Sequence, residues 1–226
     1  MADNRQEPVV VVGLGRFGTA LALELTRGGT EVLGIDNRPK VVQELAGQLA
    51  HVVTADSTDI EALRQLGVAE YYRAVVAIGS DMEASILTTS LLVELGITDI
   101  WAKALSRQHG RILERVGAHH VVLPEHDMGE RVAHLVAGRI LDYIEVDEDF
   151  AMAKTKPPRE LVGSPLRETR LRSRYGVTVV AVKSEVPDQG EPSKFTYATA
   201  DTVLSYGDII LVVGSVDDIE RFADAL

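Results

Sequence analysis

Val9-Val10-Val11-Val12-Gly13-Leu14-Gly15-Arg16-Phe17-Gly18 is an apolar run that feeds directly into three glycines. Four β-branched residues favour a strand, and the glycines suit a phosphate loop opening onto a helix. Gly13 permits the tight turn, Gly15 lets backbone approach a pyrophosphate, and Gly18 lets the helix pack closely on the strand. The helix then offers free N–H groups and its positive end to an anion. A glycine pattern alone is weak evidence, so its surroundings matter. Thr19 to Arg27 has amphipathic helical spacing, Gly28-Gly29 ends it, and Glu31 to Ile35 is a second strand closed by Asp36. The acid lies about 20 residues past the loop, where a carboxylate accepts both ribose hydroxyls. Strand, loop, helix, strand and terminal acid in this order indicate a dinucleotide or adenine-nucleotide site. The alternative is a glycine turn kept for packing alone.

Working outward, helical spacing recurs over Pro39 to Ala50, Asp59 to Leu66, Asp81 to Leu95 and Ser106 to Val116. Between these lie short β-rich runs, His51 to Ala55, Ala74 to Ile78, Asp99 to Ala104 and His119 to Leu123. Together they predict an α/β fold: a Rossmann-like, doubly wound parallel sheet covered on both faces. A further helix is expected over Gly129 to Tyr143. Two helices stand out: Ala84 to Leu95 carries more apolar surface than one sheet face absorbs, and Val132 to Ile144, with Val132, Leu135, Val136, Ile140 and Ile144 at helical spacing, comes after the sheet is complete. Each is either ordinary core packing or a subunit interface.

The character changes at Glu145, where a strand and then a linker lead to Pro157-Pro158. Beyond it come short strands at Val177 to Val182, Phe195 to Ala198 and Ile209 to Val213. A small helix is expected over Arg167 to Tyr175, and a closing helix over Val216 to Leu226. Tyr206-Gly207-Asp208 makes a tight turn, and the Pro- and Gly-containing loop Ser184 to Ser193 is expected to be mobile. The domain reading is a nucleotide-binding unit over 1–144, a linker over 145–158 and a smaller α+β module over 159–226.

Composition narrows the function. A formal charge of −11 argues against nucleic acid as a partner, because phosphate binding needs a basic face. No window approaches the roughly 20 apolar residues of a spanning helix, and Met1 to Pro8 carries no signal-peptide core, so a cytoplasmic protein is expected. Zero cysteines remove thiolate nucleophiles, disulfides and cysteine-ligated metal.

In a doubly wound sheet, ligands gather beyond the carboxyl ends of the strands. That edge holds the Gly13 to Gly18 loop, Asp36 with Asn37 and Arg38, Asp56-Ser57-Thr58, Gly79-Ser80-Asp81, Lys103 and Glu125. Asp56 with Thr58 can reach an adenine, but Asp56 to Asp59 is equally a helix-capping sequence. Arg16 points toward phosphates or is a solvated surface arginine. Arg38 suggests a 2′-phosphate site, yet the acidic strand end repels that phosphate, which disfavours NADP. A dehydrogenase needs an acid/base group on a substrate domain, and all six histidines, at 51, 109, 119, 120, 126 and 134, fall in the first unit. Most are expected to be structural or solvated. No reactive carboxylate pair, P-loop lysine or nucleophile elbow appears. The nucleotide is therefore expected to act as a signal rather than a reactant.

The chain resembles the RCK (KTN) regulators of bacterial potassium transport, KtrA/TrkA type. The resemblance rests on Gly13 to Gly18, Ile35-Asp36, Ala55-Asp56-Ser57-Thr58, Ala77-Ile78-Gly79, Ile100-Trp101-Ala102-Lys103-Ala104 and Pro124-Glu125-His126-Asp127-Met128-Gly129. Pro165-Leu166, Arg174-Tyr175-Gly176 and Leu204-Ser205-Tyr206-Gly207-Asp208 match the C-terminal module. One N-module and one C-module favour the KtrA form over the longer TrkA form. The resemblance implies a non-enzymatic homo-oligomer, an octameric ring of paired N-modules at the inner face of the plasma membrane, held there by a KtrB- or TrkH-like membrane subunit. It implies ATP or ADP in the N-module, with Asp36 on the ribose, the glycine loop and Arg16 on the phosphates, and Lys103 lining the pocket. Glu125 would meet Mg²⁺ or another cation between triphosphates of paired subunits. The Gly129 to Tyr143 helix would cross between subunits. In several relatives the C-module binds cyclic di-AMP; Arg172 occupies the arginine position, whereas Thr178 stands where Asn is frequent. A redox sensor reading NAD(H) is the runner-up, and a small NAD-dependent oxidoreductase the third reading.

Overall fold

The computed structural model describes residues 7–136, 140–147, 149–185 and 194–224, in two compact units that divide between Glu125 and His126. In the first unit, β1 (Val9–Val12), β2 (Val32–Asp36), β3 (His51–Thr54), β4 (Arg73–Val76), β5 (Asp99–Lys103) and β6 (His120–Val122) form one parallel sheet. The order is β3-β2-β1-β4-β5-β6. The chain runs outward from β1 to β3 and then returns to lay β4 on the other side of β1. The crevice beyond the carboxyl ends of β1 and β4 is where such sheets accept ligands.

Sheet and helices form because each strand has two faces to bury. Val9 and Val11 join Leu14, Ala22, Leu45 and Val75 on one face, while Val10 and Val12 join Leu63, Leu92, Ile100 and Leu113 on the other. This is why the valine run shows no polar alternation. The helices are α1 (Arg16–Arg27), α2 (Pro39–Leu45), α3 (Ile60–Gln65), α4 (Met82–Glu94) and α5 (Arg107–Val116). Asp59, Asp81 and Ser106 cap α3, α4 and α5 through side chains that accept backbone N–H groups. α2 stops at Leu45, short of the Ala50 expected from spacing, with Ala46 already out of helical backbone at ψ 127°. The surplus on α4 is real: Leu92 is buried, but Leu87 and Val93 stay 45% and 41% exposed.

α6 (Pro124–Val136) carries the chain across the division between units. The helix expected over Gly129 to Tyr143 is therefore corrected at its end, with 137–139 outside the described residues. β7 (Asp142–Asp147) already contains Tyr143 and Ile144, the first buried and the second exposed, as strand alternation requires. Ile140 belongs to the second unit's core, although its spacing continues the α6 stripe. The expected linker is also corrected. β8 (Phe150–Thr155) lies within it and pairs with β7, because Ala151, Ala153 and Thr155 alternate inward under the sheet.

The second unit continues with α7 (Leu166–Thr169), α8 (Leu171–Tyr175), β9 (Thr178–Lys183), β10 (Thr196–Tyr197), β11 (Ile209–Gly214) and α9 (Val216–Asp224). Its antiparallel sheet has the order β10-β9-β11-β8-β7. Ile219 and Phe222 of α9 are buried with Ile210, Val212 and Leu161. The helix expected over Arg167 to Tyr175 is two short helices, broken at Arg170, whose φ of 51° is left-handed. Most of the loop read at 184–193, and the last two residues of the closing helix, lie outside the described residues.

Candidate functional site

The glycine loop is shaped by what it leaves no room for. Gly13 has φ +91°, and a Cβ there would sit 2.9 Å from the Ile78 nitrogen of the strand end beside it. A Cβ on Gly18 would overlap the Gly13 carbonyl oxygen. Gly15 is different: nothing lies within 4 Å of its would-be Cβ. Gly15 is also the N-cap of α1 and supplies no side-chain cap, which leaves the first N–H groups of that helix without one from this residue. The loop thus combines two glycines needed for packing with one that keeps the approach open.

Asp36 ends β2 and is buried, 5% exposed. Its Oδ2 accepts the Leu14 N–H at 2.7 Å, tying the strand end to the loop. Arg38 completes the set: its backbone N–H and Nε donate to Oδ1 at 2.9 and 2.8 Å, and its Nη2 donates to Oδ2 at 2.9 Å. Burial alone would raise the Asp36 carboxyl, but the Arg38 side chain and the two backbone N–H groups together hold it below its ordinary value. The bond to Asp36 in turn raises the Arg38 guanidinium. Neither the Leu14 contact nor the Arg38 clasp was legible beforehand; the short spacing of an acid and an arginine at a strand end was the available signal. Asn37 between them is exposed.

On the other side of the crevice, Lys103 at the end of β5 is 7% exposed and donates to Glu125 Oε1 at 2.5 Å. Its ammonium also stands 5.7 Å from the centroid of the Phe17 ring. A Cβ on Gly79 would lie 3.1 Å from the Lys103 nitrogen, so this glycine makes room for the lysine. The Glu125 carboxyl is held below its ordinary value by the Lys103 hydrogen bond, against burial, with the charges of Lys103 and Arg16 adding. Arg16, exposed at the start of α1, Phe17, Lys103 and Glu125 therefore form one cluster. Ser80 is exposed in the loop that leads to α4.

The third strand end behaves differently. Asp56 Oδ1 accepts both the backbone N–H and the hydroxyl of Thr58, at 2.9 and 2.7 Å, which lowers its pKa. The helix cap is Asp59, leaving Asp56 as the acid of a local turn. Ser57 points inward: it is buried, and its hydroxyl meets Thr88 Oγ1 of α4 at 2.8 Å. Its side chain is thus turned away from the sheet edge on which the spacing placed it. Among the histidines, His109 is 1% exposed and accepts the Leu105 N–H through Nδ1, and burial pushes its imidazole below its ordinary value. In the second unit, Arg172 donates through Nε and Nη2 to the Thr178 hydroxyl at 3.2 and 3.1 Å, so these two expected residues are neighbours. Among the described residues, no group of three or more His, Asp or Glu is placed to hold a metal ion.

Residues 9–124 match the TrkA-N domain and residues 151–226 the TrkA-C domain. The Ktr system potassium uptake protein C of Bacillus subtilis is 38% identical over 94% of each chain, and protein A of the same organism 32% identical over 98% of each. Among solved structures, the GsuK RCK domain superposes with a TM-score of 0.64 at 18% identity, over all of this chain and 48% of that one. A GsuK channel bound to NAD superposes at 0.51 and 24% identity, over 97% of this chain and 38% of that one. The structural likenesses speak to fold alone. Sequence identity along nearly the whole length goes further: the chain belongs to the TrkA-N/TrkA-C family of Ktr-type potassium uptake proteins.

Proposed function

We propose that this protein is the nucleotide-gated regulatory subunit of a potassium uptake system, with ATP or ADP as the gating ligand. The observation that carries the reading is the pairing of two subsites across one crevice. Asp36, fixed to the glycine loop by Leu14, suits a ribose; Arg16, Lys103 and the open start of α1 suit phosphates. Neither subsite holds a group poised for turnover, so the ligand's role is to bias shape. Glu125 is 65% exposed at its side chain and can offer one oxygen to Mg²⁺ or another cation. That donor set fits Mg²⁺, which commonly takes few carboxylates beside phosphate oxygens and water.

The finer assembly follows the same logic. The exposed Leu87, Val93 and Ile112 of α4 and α5 suit burial between copies, consistent with an octameric ring on a KtrB- or TrkH-like membrane subunit. No helix of the described residues is long and apolar enough to cross a membrane, so contact with the inner membrane face would run through that partner. Arg172 and Thr178 are the residues to test for cyclic di-AMP. NAD(H) is the second reading, favoured by the NAD-bound GsuK channel; Asp36 serves its ribose as well as that of ATP.

The deciding experiment titrates nucleotide-stripped protein with ATP, ADP and NADH, with and without Mg²⁺, and repeats it on Asp36→Asn. Tight ATP and ADP binding that is lost in the variant supports the proposal. Preferential NADH binding moves the chain to the redox reading.

A further inference from the structure

The Asp36 carboxylate has no acceptor capacity left. An ionised carboxylate offers about four lone-pair sites, two per oxygen, and all are taken: Oδ1 by the Arg38 N–H and Nε, Oδ2 by the Leu14 N–H and the Arg38 Nη2. The two backbone donors are fixed by the loop and the chain turn. The two side-chain donors are not, because the Arg38 side chain is 57% exposed while that of Asp36 is 3% exposed. The removable bonds are therefore one on each oxygen, the number and placement that the two hydroxyls of a ribose cis-diol would replace.

We propose that Arg38 is a displaceable counter-ion that closes the ribose subsite, and that a cis-diol ligand enters by exchanging its two hydroxyls for the guanidinium's two hydrogen bonds. This rests on the nucleotide reading above and adds to it a residue that sets affinity from the free state. Arg38 stabilises the empty carboxylate, so it weakens binding at the ribose while its positive charge, once released, remains beside the ligand. The opposing effects separate by choice of ligand: adenosine carries no phosphate and feels only the first.

The test titrates the intact protein and the Arg38→Ala and Arg38→Met variants with adenosine and with ADP, after thermal melts confirm that all are folded. Because the pair is partly solvated, its removal is expected to tighten adenosine binding by about threefold to tenfold. ADP should gain less, and its gain should approach that of adenosine in 0.5 M salt, where long-range attraction is screened. Adenosine binding that is unchanged or weaker in both variants, with ADP still bound by the wild type, overturns the counter-ion role and leaves the nucleotide reading standing. A wild type that binds neither ligand overturns both. Arg38→Met keeps the side-chain stem, so agreement between the variants excludes an effect of lost packing.

Discussion

The ammonium of Lys103, buried at the end of β5, meets the Glu125 carboxylate at the start of α6 at 2.5 Å. A buried cation with one carboxylate partner is sensitive to loss of that partner, since the charge is then left without a hydrogen-bonded counter-ion. Lys103 and Glu125 therefore join the carboxyl ends of β5 and β6 across the same crevice that the glycine loop borders.

Glu125→Gln is expected to destabilise the first unit by about 1–3 kcal/mol, and Lys103→Met by less, because the methionine leaves only an exposed carboxylate behind. Denaturant unfolding of the two variants and of the double variant measures this. A double variant as damaged as the sum of the singles would show that the pair is not coupled.

Gly18→Ala and Gly15→Ala should separate folding from binding. The first drives a methyl into the Gly13 carbonyl and should cost about 1–3 kcal/mol or more. The second meets nothing within 4 Å, so the melt should change little; if the proposed phosphate site is right, nucleotide affinity should fall at least tenfold. Thermal melts beside calorimetric titration give both readouts. Unchanged ATP affinity in Gly15→Ala would remove the loop from the phosphate site.

Ser57 offers a test of a residue that lies in the right loop and faces the wrong way for a ligand. Thr88→Val leaves a buried hydroxyl short of its partner and should cost about 1–3 kcal/mol. Adding Ser57→Ala should recover part of it, and neither change should alter ADP affinity more than about twofold. A large affinity loss in folded Ser57→Ala would return this side chain to the site.

Acid should unfold the protein through its paired carboxylates. Asp36 and Glu125 both lie below their ordinary values of 3.8 and 4.5 when folded. Groups depressed in this way contribute full stability above the unfolded values, and lose it as pH falls through the lower folded ones. Melting temperatures are expected to hold between pH 7 and 5 and to drop below about pH 4.5. Asp36→Asn should start lower and fall less steeply; an identical slope would place the acid sensitivity elsewhere.

Leu87→Asp on the exposed side of α4 should leave the subunit folded by circular dichroism and reduce the oligomer, read by light scattering on a sizing column. Leu87 is 45% exposed, so a monomer has little to lose there. A variant of unchanged mass would remove this face from the assembly.

The first unit was legible because its signals are local and redundant. β1 is four valines buried on both faces, and Asp59, Asp81 and Ser106 cap their helices by side chains that can be named from the sequence. β8 was hidden, since Ala151-Met152-Ala153-Lys154 has weak strand preference and becomes a strand by pairing with β7 and β11. The end of α6 was hidden because Ile140 continues a helical spacing into another core. Within the site, Asp36 and Lys103 could be placed by their strand ends. The Arg38 clasp depends on an extended backbone at Arg38, and the inward turn of Ser57 on a partner 31 residues away, so neither spacing announces it.

The position of β1 between β2 and β4 also sets when the site comes into being. Val9 pairs with Val32 and with Arg73, and the second pairing requires a long loop to close. Contacts of such sequence separation form slowly. During synthesis, the glycine loop emerges well before Ala77 and Ile78; Gly13 rests against their backbone and Gly18 against the Ala77 methyl. An early fragment containing β1, α1 and β2 has the residues of the loop and lacks its floor. Ligand capture through this loop should thus await β4, making occupancy of the loop a sign that the chain has been made and folded at least through Ile78.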